Sequence, residues 1–299
     1  MNTFKHICQE LGIPLAEDKS FGPTYKLVFL GLEIDTVSQM VRVPEVKSAE
    51  LSTLLQEMLG KKRVTLRQLQ SLLGKLNFFT KAIVPGRVFV RRMHDATLGV
   101  RKPHHFVRVN QEMKQDMGLW LTFLEEFNGR VYFSEVEWSS NLVLDLFTDS
   151  AGAGNLGCGA YFQGEWCYFP WPSDWDRLNF LADMTTLELV PVILALYLWG
   201  SKLANKKVLF HIDNQALVTI INKQTSNSKR VMFLLRSFIM KSMLNNILFK
   251  AVYIPTKSNS IADSISRKQW QRFQQVAPQA QTQALTAPND FQHLIYSFK

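Results

Sequence analysis

The chain has 299 residues, 46% of them hydrophobic, with a formal net charge of +9. That is enough apolar side chain for real cores, and the length suggests about two domains at the usual ~100–200 residues each. Three cysteines exclude a disulfide framework and a CxxC zinc site. The longest apolar run, LVPVILALYLW, is too short to span a bilayer, and the start, MNTFKHICQELG, is not a secretory signal. An intracellular setting, cytoplasmic or nuclear, is the expectation, with no membrane partner.

In chain order, TFKHICQELG has helical apolar spacing and stops at Gly12. YKLVFLGLEID is strand-like and interrupted at Gly31. Pro44 opens a helix that Gly60 ends. Thr65 is the expected N-cap of the next helix, with Gln68 as its capping-box partner. Leu66, Leu69, Leu73 and Leu76 form the apolar stripe of that helix. A third helix is expected near residues 110–128. Residues 61–110 hold twelve Lys and Arg, among them Lys61, Lys62, Arg63, Arg67, Arg91 and Arg92, against the single acid Asp95. So one-sided a block repels itself unless a polyanion is near, which points to nucleic acid. The same region read blandly is a solvated basic face.

The composition then changes. VYFSEVEW, LVLDLFTDS, GCGAYFQ and WCYFPW read as strands, and FQGEW reads as a hairpin turn with Gly164 in the left-handed region. A helix follows at about 186–199, then the strand KKVLFHID. Two helices, NQALVTIIN and SKRVMFLLRSFIMKSM, come next. The strand NILFKAVYIP and a short helix in SNSIADSISR complete the order. Hairpins followed by strand–helix alternation imply an α/β fold, a mixed sheet with helices on its faces. The Gln-, Ala- and Pro-rich tail after about 275 reads as flexible.

Four acids in this half sit at telling places. Asp149 and Asp213 end apolar strands, Glu188 lies among Leu187, Leu189 and Val190, and Asp263 follows the last strand. Each has a plain reading. Asp149 can be a turn residue, Asp213 an N-cap, Asp263 a cap or first-turn dipole partner, and Glu188 a helix-start acid. A Gly-rich loop after a strand can also cradle phosphate, but no GK[ST] follows. Together the four acids abut buried elements without neighbouring cations, which is costly unless a metal neutralises them. Hard carboxylate oxygens suit Mg²⁺, with Mn²⁺ as a substitute. Two such ions make a phosphodiester-cleaving site. His211, inside an apolar strand, reads as a core histidine, and Phe78, Phe79 and Phe89 as core rather than stacking platforms.

LFTDSAGAG…GCGAYF, TTLELVPVILAL, VLFHIDNQALVTIIN and YIPTKSNSIADSISR resemble the four motifs of type 1 ribonuclease H domains. They look most like the versions in reverse-transcribing elements, where N-x-x-AD-x-(I/L)-SR closes the domain. The resemblance implies a ribonuclease H-like five-stranded mixed sheet over about residues 140–272. It implies hydrolysis of the RNA strand of RNA–DNA hybrids, with Asp149, Glu188, Asp213 and Asp263 holding two Mg²⁺ ions. Asn214 and Gln215 would probe the 2′-hydroxyl that marks RNA. The small residues after Asp149 would let the hybrid backbone come close.

The first half is similar to the rest of the same polyprotein. LGIPLAEDKS and LVFLGLEID look like the end of a reverse transcriptase palm, with Lys19 matching its late lysine and Phe29, Leu30 and Gly31 its primer grip. VTLRQLQSLLGKLNFFTKAIVPGRVFVRRM looks like the thumb and connection of DIRS-like (tyrosine-recombinase) retroelements. The implied plan is a palm remnant over 1–43, a basic helical thumb or connection over 44–135, the nuclease domain over 140–272 and the tail over 273–299. The basic block would then hold a primer–template duplex. No YxDD occurs, so polymerisation by this chain is not expected. Pro191 puts a proline one turn after Glu188 and is expected to disturb that helix. The family's helper histidine has no counterpart. Two other readings remain: a catalytically inactive nucleic-acid-binding remnant, and an integrase- or resolvase-like nuclease on a related fold.

Overall fold

A computed structural model describes residues 2–16, 21–128, 131–132, 137–152 and 156–298; Lys19 lies outside them. Helix α1 (Asn2–Glu10) ends before Gly12, whose φ is +66°. Strands β1 (Lys26–Phe29) and β2 (Leu32–Asp35) form an antiparallel hairpin. Its two turn residues, Leu30 and Gly31, have φ of 49° and 81°, the left-handed geometry that tight hairpins need. A side chain at Gly31 would also run into Lys47 and Phe78. Strand β3 (Met40–Arg42) extends this sheet, and α2 (Glu45–Leu59) follows, burying Leu51, Leu55 and Met58.

Strand β4 (Arg63–Thr65) leads into α3 (Leu66–Phe79). Thr65 and Gln68 make both bonds of the capping box, and the four stripe leucines are buried. A 3₁₀ segment (Val84–Val90), α4 (Arg91–Asp95), β5 (Phe106–Arg108) and α5 (Gln111–Glu126) come next, with β5 paired to β4. Strand β6 (Val131–Tyr132) pairs with β3. The start of VYFSEVEW therefore closes the first-half sheet instead of opening a second one; residues 133–136 lie outside the described set.

After α6 (Asn141–Leu144), strands β7 (Leu146–Ser150), β8 (Gly157–Phe162) and β9 (Glu165–Pro170) form an antiparallel meander. The β8–β9 turn uses Gln163 at φ 48° and Gly164 at φ 88°. Helix α7 (Met184–Trp199), capped by Asp183, runs unbroken through Pro191 and packs on β7, β8 and the later helix α9. It is buried almost all round, so the proline ring sits in the core. Strand β10 (Lys207–Ile212), α8 (Gln215–Lys223), α9 (Lys229–Leu244) and β11 (Leu248–Tyr253) follow, with β10 and β11 parallel. A 3₁₀ turn (Thr256–Asn259) leads into α10 (Ser260–Ser266), then α11 (Trp270–Val276) and α12 (Asn289–Ser297).

The fold is mixed α/β, but the ladders do not form the single five-stranded sheet expected. Among the described residues β7, β8 and β9 make one sheet, and β10 and β11 make another. Strands β7 and β10 are neighbours without a shared ladder. Ser139 occupies the start of one edge of β10. It bonds to Lys207 and Leu209 of β10, on the edge turned away from β11.

The small residues around Asp149 also serve a purpose other than the one expected. A Cβ at Gly159 would lie 2.7 Å from Ile265 of α10, and one at Gly157 would strike Phe169 and Tyr168. One at Gly152 would press on Leu181, Leu187 and Met184. These glycines admit the protein's own helices and strands.

The tail is packed. Phe291 and Ile295 of α12 are fully buried, and Phe298 is nearly so. Phe291 meets Phe169 and Tyr197 edge-on, and Phe298 meets Trp175, Phe180 and Phe233. A few aromatics fix a segment whose average composition reads as loose. Phe291→Ala is expected to lower stability by about 3–5 kcal/mol, measured by urea unfolding; a loss below ~1 kcal/mol would show that the tail is not part of the core.

Candidate metal centre

Three elements converge on one point. Asp149 lies near the end of β7, opposite Gly159 of β8. Glu188 projects from the second turn of α7, whose start is fixed by Asp183 bonding to the Thr186 N–H and hydroxyl. Asp213 follows β10 directly. One carboxylate oxygen from each lies within 4.8 Å of the other two. Asp149 and Glu188 are buried and Asp213 is half-buried.

No Lys or Arg pairs with these three among the described residues. Their partners are neutral. Ser266 Oγ donates to Asp149 Oδ2 at 2.5 Å, and Asn259 Nδ2 reaches Asp149 Oδ1 at 3.4 Å. Ser150 Oγ donates to Glu188 Oε1 at 2.8 Å, and Thr256 Oγ1 donates to Asp213 Oδ2 at 3.0 Å. Burial pushes the Asp149 carboxyl up to about 7; the Ser266 bond opposes this and the charges of Asp213 and Asp263 add to it. Burial and the charges of Asp149 and Asp213 push Glu188 well above its ordinary range. Three close acids with only hydroxyl and amide donors are a poor structural ion pair and a good set of hard oxygen ligands. The residues present therefore fit a small divalent cation.

Asp263 does not join them. Arg267 Nε bonds one of its oxygens and Arg272 Nη1 the other, each at 2.6 Å. Burial would raise this carboxyl, but the two guanidiniums outweigh it and hold it below the usual range. Asn214 is the N-cap of α8, its Oδ1 accepting from the Leu217 N–H, which commits that oxygen to the helix. Gln215 is exposed at the first turn of α8. Half-buried His211 has an Nε2 with no partner among the described residues, and burial lowers its pKa.

The basic block is less free than its charge suggests. Arg92 pairs with Glu112 and buried Asp116, Arg91 with Asp95, and Lys61 with Glu57. Arg63 lies over the Phe106 ring. Lys62 and Arg67 are exposed. Phe79 and Phe89 are core and Phe78 is half-buried. Phe29 and Leu30 are exposed and Gly31 is half-buried.

Sequence reasoning missed the residues that orient the acids. Asn259 and Ser266 stand in the closing motif, and their spacing around Asp263 was the available signal. Arg272, on the next helix, had none.

No family model matches the chain, and no curated protein matches it. Among solved structures, the ribonuclease H1 of the archaeon Halobacterium salinarum NRC-1 aligns at 12% identity with a TM-score of 0.33, covering 45% of this chain and 98% of that one. A foamy viral protease–reverse transcriptase in complex with RNA/DNA hybrid aligns at 12% identity with a TM-score of 0.30. That match covers 89% of this chain, which spans 56% of the viral one. No helix among the described residues is long and apolar enough to cross a membrane. At such low scores, what the site does must be read from its own geometry.

Raised carboxyl pKa values have a stability consequence. Between the ordinary carboxylate range near 4 and about 7, the folded metal-free protein binds more protons than the unfolded chain, so stability falls as pH rises through that window. The melting temperature in a chelator is expected to drop from pH 5 to pH 8, and Asp149→Asn is expected to flatten the drop. An unchanged pH profile in that variant would contradict the raised carboxyl assigned to Asp149.

Proposed function

We propose that this chain is a divalent-metal-dependent nuclease that hydrolyses the RNA strand of RNA–DNA hybrids. In this reading residues 140–272 are a ribonuclease H-like domain, and the chain derives from the C-terminal part of a DIRS-like retroelement reverse transcriptase. Residues 1–43 would be a palm remnant and 44–135 a basic thumb or connection. The observation that carries the reading is the meeting of Asp149, Glu188 and Asp213 within 4.8 Å without a cation partner.

These three residues would hold the ion or ions. When bound, Mg²⁺ or Mn²⁺ would supply Lewis acidity at the scissile phosphate and make an attacking water more acidic. The protein's own work is orientation. Ser266 and Asn259 fix both oxygens of Asp149, and Ser150 and Thr256 each fix one oxygen of a neighbouring acid. Addition of water with cleavage of the P–O3′ bond leaves 3′-hydroxyl and 5′-phosphate ends. Exposed Gln215, beside Asp213, is the candidate to touch the 2′-hydroxyl. The basic side chains left exposed, Lys62 and Arg67 among them, would meet the duplex backbone.

One observation favours the other reading, an inactive nucleic-acid-binding remnant. The fourth acid that the resemblance assigns to the metals is held by two arginines. Incubation of the chain with labelled hybrid, duplex RNA and duplex DNA in Mg²⁺ separates the two. Cleavage of RNA in the hybrid is expected, with Asp213→Asn and Glu188→Gln each reducing it more than ~100-fold, beyond the usual cost of removing a supporting residue. Hybrid binding with no cleavage in either metal supports the remnant; cleavage that survives both substitutions refutes the metal assignment.

A further inference from the structure

Accepting the hybrid-cleaving reading, we infer that Arg267 and Arg272 are a phosphate-contacting pair at the edge of the acid cluster, and that Asp263 is their anchor rather than a metal ligand. Both oxygens of Asp263 are taken by guanidinium groups at 2.6 Å. Charge-assisted bonds of this length are among the strong ones. For Asp263 to turn to a metal, both would have to break.

The pair lies beside the site. Ser266, which donates to Asp149, is the residue before Arg267. Helix α10, which carries Asp263 and Ser266, is seated on β8 by the close approach of Ile265 to Gly159. Gln269 Oε1 accepts a second bond from Arg272 Nη1 at 2.8 Å, which fixes that side chain further. Lys268 points elsewhere, over the Tyr168 ring.

Both guanidiniums retain donors for a ligand. Each has five N–H groups. Arg267 uses Nε, and Arg272 uses Nη1. The Arg267 and Arg272 side chains are 44% and 42% exposed. Two arginines share one carboxylate, so Asp263 neutralises only one of them, and the charges of Asp149 and Asp213 also reach Arg267. A planar fork with spare donors, held still and open to solvent, matches the oxygens of a backbone phosphate.

The full chain would be tested for hybrid binding in Ca²⁺ or a chelator, where no cleavage occurs, at several salt concentrations. Arg267→Gln and Arg272→Gln are each expected to weaken binding about 5–10-fold and to reduce the slope of log K against log salt by about one. Asp263→Asn is expected to weaken hybrid binding similarly and to leave Mn²⁺ stoichiometry unchanged by electron paramagnetic resonance. Circular dichroism checks folding; Arg272→Gln, on α11, serves if the α10 variants unfold. Loss of a Mn²⁺ ion in Asp263→Asn, or wild-type salt slopes in both arginine variants, overturns this assignment and leaves the nuclease reading standing. A wild-type chain that binds no hybrid overturns both.

Discussion

Three carboxylates placed within one ion's reach, two of them buried, govern much of what surrounds them. Such a group is unfavourable in a metal-free protein, because burial and mutual repulsion both oppose ionisation. Among the described residues no lysine or arginine bonds to them, and of the cations nearby the Arg267 charge acts on Asp149 and Asp213 only from a distance. The chain gives each a hydroxyl instead, and Asp149 an amide as well. These donors hold geometry without neutralising charge, which leaves the charge for a ligand. Arginines stand one step outside, on Asp263.

The supporting structure follows from that constraint. Asp149 must stay fixed at the end of β7, so α10 is brought against β7 and β8, and Gly159 has no side chain because Ile265 needs the space. Asn259 sits between the last strand and α10, where its Nδ2 reaches both the Thr148 carbonyl and Asp149. Its Oδ1 is buried with no partner among the described residues. Asn214, next to Asp213, spends its side chain on starting α8. The local backbone after β10 is thus set by a cap, and the acid before it inherits a fixed direction.

What was legible in the sequence was what depends on neighbours along the chain. The capping box at Thr65, the stop at Gly12, the turns at Gly31 and Gly164, and the strand-end acids Asp149 and Asp213 all announce themselves within a few residues. What was hidden depends on distant pieces of chain. Ser139 bonds the start of β10 on the edge turned away from β11, and nothing in its neighbourhood announces that. Arg272 reaches Asp263 from another helix. The glycines after Asp149 look like an open loop until Ile265 and Phe169 arrive against them. The basic block looked uniform because charge counts ignore its partners, of which Asp116 lies on a different helix. The tail was misjudged because three large apolar side chains outweigh a polar average.

Asp116 is wholly buried on α5, and it takes bonds from Arg92 of α4 and Arg236 of α9. Arg236 also lies over the Phe89 ring, and one continuous core runs from Val43 to Phe298. The change of composition near residue 131 marks a change of secondary structure, not a seam in the molecule. A piece cut there would keep Arg236 and lose the carboxylate that its burial requires, and it would bare the side of α9 that now rests on the basic helices. The C-terminal half is therefore not a portable part; its scaffold is completed by the half that carries the charge.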